Sequence, residues 1–254
     1  KPDNNALVGN PYPSALNANE FIKDNIPLKN PLNGNPTVAN LNTTGSISGT
    51  LYFWIHFDSN NTHILRDYEG GYAYYTISGG VSPPTGEQYN TVDNFYISGS
   101  GGSTLIPQDY IPVGQGFFTE SATLYKLSDN IKFENDQREF VTEQGSTNSI
   151  FLKSGNIKNA KGYSQSNATT DENNIRRVRL IYSTPEGARR YLLLAFTQDN
   201  AASDNFDYGY DAKVFDNNPN DMLFIIDDEK YVIQGVGEFD ESKQYPVGFF
   251  SSTG

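Results

Sequence analysis

The densest run of hard oxygen donors in this chain is Asp204-Asn205-Phe206-Asp207-Tyr208-Gly209-Tyr210-Asp211, with Asp216 soon after. Ca²⁺ takes roughly six to eight oxygens from carboxylates, amides and backbone carbonyls, and a turn can deliver them. Asp204, Asn205, Asp207, Asp211 and Asp216 are therefore a candidate Ca²⁺ set. Their spacing is not that of an EF-hand, and the same residues suit an Asx-rich turn capping strand ends. Both readings stand at this stage. Two carboxylates facing across a cleft would perform glycoside hydrolysis. With 30 acidic residues some pair meets that separation by chance, so the sequence singles out none.

Other chemistries find less support. The two histidines are His56, inside an aromatic run, and His63. His56 reads as a partly buried structural residue, and no His-Glu-x-x-His helix accompanies it. There is no cysteine, which excludes thiol catalysis, Cys-ligated zinc and iron–sulfur clusters. No Gly-x-Ser-x-Gly elbow sits between a strand and a helix. Gly235-Val236-Gly237 lacks the third glycine of a dinucleotide fingerprint.

Two side-chain groups suggest binding instead. Trp54, Tyr72, Tyr74 and Tyr75 offer flat rings for stacking against sugars. On a strand Tyr72 and Tyr74 share a face and Tyr75 points the other way. The competing reading is that all four are core. Arg176, Arg177, Arg179, Arg189 and Arg190 form the one basic cluster. They read as outward positions of a solvated hairpin, with anion or polymer binding as the alternative. Net charge is −12, so no broad basic face exists for nucleic acid.

The elements that must position these groups are mostly strands. Leu51-Tyr52-Phe53-Trp54-Ile55-His56-Phe57 is a continuous apolar run, expected to be a central strand covered on both faces. Further strands are expected at 72–77, 94–98, 123–127, 131–133 and 150–152, and the run Ile111–Phe118 leads into another. The clearest hairpin is 177–182 with 191–196, turning at Thr184-Pro185-Glu186-Gly187. Two more strands, 224–226 and 231–233, flank Asp227-Asp228-Glu229, and a last strand begins at Pro246. One short helix is expected after Asn17, which serves as N-cap with Glu20 at capping-box spacing. Residues 27–49 read as a polar loop without periodicity.

Abundant Tyr, Phe, Gly and Asn favour pleated strands and tight turns. The fold class is therefore all-β, with two packed antiparallel sandwich-like units, 1–145 and 146–254, unless the halves form one continuous assembly. No stretch is apolar enough for a membrane span. The polar ends, Lys-Pro-Asp-Asn-Asn and Ser-Ser-Thr-Gly, read as cuts in a longer protein.

Five elements carry a family resemblance: Leu7-Val8-Gly9-Asn10-Pro11-Tyr12-Pro13-Ser14-Ala15, Leu51-Tyr52-Phe53-Trp54, Ile111-Pro112-Val113-Gly114-Gln115-Gly116-Phe117-Phe118, Phe133-Glu134-Asn135-Asp136-Gln137-Arg138 and Phe206-Asp207-Tyr208-Gly209-Tyr210-Asp211-Ala212-Lys213. In this order they resemble the β-rich region preceding the C-terminal sorting domain in secreted Bacteroidetes substrates of the type IX secretion system. The resemblance implies an exported, cell-surface or extracellular module of an adhesin-like or gliding-related protein. It implies contact with the secretion machinery through a sorting domain that this chain lacks, and it supplies no catalytic residues. Such regions also accompany secreted polysaccharide-degrading enzymes. The expected function is thus a non-catalytic adhesion or spacer module. A carbohydrate-binding accessory module is second, and a carboxylate-based hydrolase third. Expected partners are a polysaccharide or other surface ligand.

Overall fold

A computed structural model describes residues 4–29, 41–42, 45–57, 70–86, 88–90, 95–97, 103–122, 130–141, 175–185, 187–216 and 218–251. The first part of the chain supplies β1 (Asn5–Gly9), β2 (Ala15–Asn17), α1 (Ala18–Asn25), β3 (Leu28–Lys29), β4 (Leu41–Asn42), β5 (Ile47–His56), β6 (Gly70–Thr76) and β7 (Gly79–Val81). Then come β8 (Gln88–Asn90), β9 (Phe95–Ile97), β10 (Tyr110–Ile111), β11 (Gly116–Ser121) and β12 (Arg138–Glu139). The rest supplies β13 (Arg176–Ser183), β14 (Arg189–Phe196), β15 (Ala212–Lys213), β16 (Asn220–Ile226), β17 (Glu229–Val236) and β18 (Val247–Ser251). The fold is all-β and sandwich-like, with α1 the one α-helix among the described residues.

α1 starts where its capping chemistry directs. The Asn17 side chain accepts from the backbone N–H groups of Asn19 and Glu20, at 3.0 and 3.1 Å. Glu20 does not complete the expected box, because its carboxylate takes the Lys23 ammonium at 2.8 Å. Phe21 and Ile22 are fully buried beneath the sheet.

The central sheet runs β1-β11-β5-β6-β7, all antiparallel. β5 is buried along nearly its whole length, and its Leu51–His56 part is the apolar run expected to be covered on both faces. Leu51, Phe53 and Ile55 face a core that includes Phe21, Ile22 and Phe117. Tyr52 and, across the ladder, Tyr74 belong to a second core with Leu192, Leu193, Val232 and Ile233. Each core crosses the expected 145/146 boundary: Ile175 and Ala195 join the first, and Tyr52, Tyr74 and Val81 the second. The boundary itself lies outside the described residues.

The second large sheet is β13-β14-β17-β16-β18, with β15 also on β17. It departs from the expected antiparallel pattern at one place, since β14 and β17 are parallel with Leu193 opposite Ile233. Ile233 pairs with both Leu193 and Ala212, while Tyr231 pairs with both Phe224 and Lys213. A strand residue has two edges, so β15 occupies one edge of β17 and β16 and β14 succeed one another along the other. The expected turn between β16 and β17 forms, with positive φ at Asp227 (49°) and Asp228 (65°) as a tight hairpin requires.

Two further expectations fail. Residues 131–133 are not a strand, because the Asn25 side chain replaces the neighbouring chain. Its amide accepts from Lys132 N at 2.7 Å and donates to Lys132 O at 2.9 Å. The supposed loop 27–49 contains the β3–β4 ladder and the start of β5. The strands expected at 123–127 and 150–152, and His63, lie outside the described residues. No helix among the described residues is long and apolar enough to cross a membrane.

Candidate functional site

β14 brings Arg190 to the fork where β14 and β16 part, and there it is 1% exposed. Nε and Nη2 bind the two oxygens of Asp221 at 2.9 and 2.6 Å. Nη1 reaches Asp216 Oδ1 at 2.8 Å, and Nη2 the Asp216 carbonyl at 3.2 Å. The Tyr74 hydroxyl donates to the same Asp216 oxygen at 2.9 Å and accepts from Phe215 N–H at 3.0 Å. Asp221 further accepts from the backbone of Asn218 and Met222. Burial opposes the Arg190 charge, but Asp216 and Asp221 together outweigh it and raise its pKa. Burial, then Asp216, raises the Tyr74 hydroxyl well above its ordinary range. The result is a closed polar cage that ties β6 to β14 and β16. Sequence pattern missed it, since Arg190 read as one more solvated arginine.

The acidic loop resolves into separate roles. Asp207, buried, accepts from the backbone N–H and the hydroxyl of Ser203. Asp211, also buried, accepts from Asp207 N at 2.6 Å and from Gly235 N at 2.7 Å. Asp204 pairs with Lys243 at the surface at 2.8 Å, Asn205 is exposed, and Asp216 belongs to the Arg190 cage. Each of these carboxylates is thus engaged with N–H, O–H or cationic donors of the protein. Among the described residues no group of three or more His, Asp or Glu side chains gathers for a metal.

The four aromatics divide. Tyr74 and Tyr75 are buried, at 0% and 1% exposure. The Tyr75 hydroxyl bonds Asn19 and Asp109, each at 2.9 Å. No sugar reaches either ring, so both leave the expected stacking surface. Trp54 and Tyr72 are partly exposed and meet edge to face at 5.0 Å. Phe118 and Phe215 complete their cluster, both packing edge-on to Tyr72. Gly70 has a packing reason beside them: a Cβ there would lie 2.4 Å from the Trp54 ring. His56 is buried at the end of the same strand, in line with a structural role.

The basic cluster divides as well. Arg176 and Arg189 are exposed. Arg177 donates to the Ser78 carbonyl in the β6–β7 turn at 2.6 Å, and Arg179 to the Gly80 carbonyl on β7 at 2.7 Å. The solvated-hairpin reading therefore holds for only part of it.

The five sequence elements converge. The Asn10 side chain donates to the carbonyls of Ser14, Ile111 and Pro112. Tyr12 packs on Phe133 at 6.4 Å, lies under Arg138 and donates to the Glu134 carbonyl at 2.8 Å. Phe118 pairs with Tyr52, and Thr50, just before the Leu51–Trp54 element, donates to the Asp211 carbonyl. Gly209 joins two of these elements' neighbours, donating to the Ser48 carbonyl and accepting from the Ile77 N–H. A family profile described as a domain of unknown function, DUF8693, matches residues 1–254, and the chain belongs to that family. No curated protein and no solved structure matches it.

Proposed function

We propose that the chain is a non-catalytic adhesion or spacer module of an exported cell-surface protein, of the type IX secretion kind its sequence elements resemble. One observation carries this reading. The polar groups that looked able to do chemistry are used to join elements: Asp207 and Asp211 hold a turn, and Arg190, Asp216, Asp221 and Tyr74 lock three strands. Such internal bonding suits a body that must keep its shape while carrying a binding face outside the cell. The test is protease shaving of intact cells that produce the parent protein, followed by detection of peptides from this chain. Release from intact cells, lost when type IX export is disabled, is the expected result. Peptides found only after lysis would overturn the reading.

A second reading, a carbohydrate-binding module, is favoured by the partly exposed cluster of Trp54, Tyr72, Phe118 and Phe215. Trp54 is the chain's one tryptophan, so its fluorescence reports directly on this surface. Saturable quenching or blue shift with a neutral oligosaccharide, abolished in Tyr72→Ala, would support it. An unresponsive spectrum across neutral glycans would remove it.

A further inference from the structure

Two carboxylates meet one guanidinium in the Arg190 cage, and they are not used alike. Asp221 is fully engaged: its oxygens accept from Arg190 Nε and Nη2 and from the N–H groups of Asn218 and Met222. Asp216 Oδ1 takes Arg190 Nη1 and the Tyr74 hydroxyl, while Asp216 Oδ2 is buried and has no hydrogen-bond partner. Asn218 is tied to the same cage by its N–H, which lies 3.2 Å from Asp221 Oδ2. Its side chain is 7% exposed, and both amide atoms, Oδ1 and Nδ2, are buried without a partner. Three orphaned polar atoms on Asp216 and Asn218 form a concentration that folded proteins complete with water or an ion. The charge count favours the ion. One guanidinium against two carboxylates leaves the cage one positive charge short, and no other cation pairs with Asp216 or Asp221 among the described residues. A buried charge without a counter-charge is costly.

We propose that Asp216 Oδ2 and Asn218 Oδ1 hold an alkali-metal cation, sodium or potassium, which completes the charge of the Arg190 cage. Carboxylate and amide oxygens are hard donors of the kind such ions take. One free carboxylate oxygen and one missing charge match a monovalent ion, whereas Ca²⁺ requires roughly six to eight oxygens and brings a surplus charge. Asn218 Nδ2 is left to donate to a water in the ion's shell. The ion joins the segment after β15 to the β14–β16 fork, so the tie between the sheets depends on the salt around the protein.

The experiment is thermal melting of the intact chain in the chlorides of sodium, potassium and tetramethylammonium at one ionic strength, which holds screening constant. Replacing tetramethylammonium by sodium or potassium should raise the melting temperature and saturate, as mass action on a folded-state site requires. Asn218→Ala leaves both carboxylates and Arg190 in place, and it should raise the half-saturating concentration at least about tenfold. Asp216→Asn removes the surplus charge and should abolish the dependence, while Asp204→Asn, at the surface pair with Lys243, should leave it unchanged. Equal melting temperatures in the three salts overturn the proposal, and mean that water or a proton completes these atoms. A sodium- or potassium-dependent rise of wild-type size in both Asn218→Ala and Asp216→Asn also overturns it, because the ion then sits elsewhere.

Discussion

Arg189 and Arg190 are neighbours with the same side-chain chemistry, yet one is exposed and the other is among the largest fully buried side chains of the described residues. What separates them is the pair Asp216 and Asp221, 26 and 31 residues downstream. That long-range meeting left no local signal, which is why the cage was not legible in the sequence. Arg190→Met removes the cation and leaves two buried carboxylates, and breaking such a buried pair costs about 3–5 kcal/mol. Urea denaturation should show the midpoint falling accordingly. Tyr74→Phe deletes a hydroxyl that both donates and accepts inside the cage, for a loss of roughly 1–3 kcal/mol. Burial first, with the carboxylates of Glu120, Asp216 and Asp211 next, raises Tyr52, Tyr74 and Tyr231 respectively above the ordinary 10.0. The unfolded chain releases these protons at lower pH than the folded one. Their stabilisation is complete below about pH 10 and is lost as pH rises beyond it. Urea midpoints measured from neutral to alkaline pH should be flat with respect to tyrosine and then fall. The acidic loop was legible as a turn, and its carboxylates already have protein donors. EDTA should therefore leave the melting temperature unchanged, and a Ca²⁺-dependent rise would restore the metal reading.

At the scale of elements, the sequence was most readable where structure is local. The β13–β14 hairpin, the β16–β17 hairpin and the α1 start lie where turn and cap residues placed them. Asn17→Ala should cost about 1 kcal/mol, read from the same denaturation curve. The parallel β14–β17 pairing was not legible, because alternation fixes which face a residue takes but not which strand lies beside it. The segment 131–133 misled for a related reason, since Asn25 supplies the hydrogen bonds a partner strand would make. The junction of β5 with the Asp207–Asp211 turn depends on two glycines in contact. Gly49 has φ +92°, and its added Cβ would lie 2.4 Å from Gly209 Cα. Gly49→Ala meets both backbone strain and backbone collision, so a loss of at least roughly 1–3 kcal/mol is expected in thermal melts. Wild-type stability in this variant would mean that the junction yields.

At the scale of the molecule, the described cores are shared across the chain. Tyr74 of β6 bonds Asp216, and Arg177 and Arg179 of β13 hold the β6–β7 turn and β7. This coupling is the physical content of the spacer reading: a load on one sheet is carried into the next through buried polar bonds. The measurement that tests it most directly is urea unfolding of wild type and Arg190→Met, followed by Trp54 fluorescence and by hydrogen exchange of Leu192–Phe196. Trp54 lies on β5 and Arg190 on β14, in different sheets. Both probes should shift together to lower urea in the variant. A Trp54 transition that stays in place while the β14 amides lose protection would contradict it, and would mean that the two sheets unfold as independent bodies.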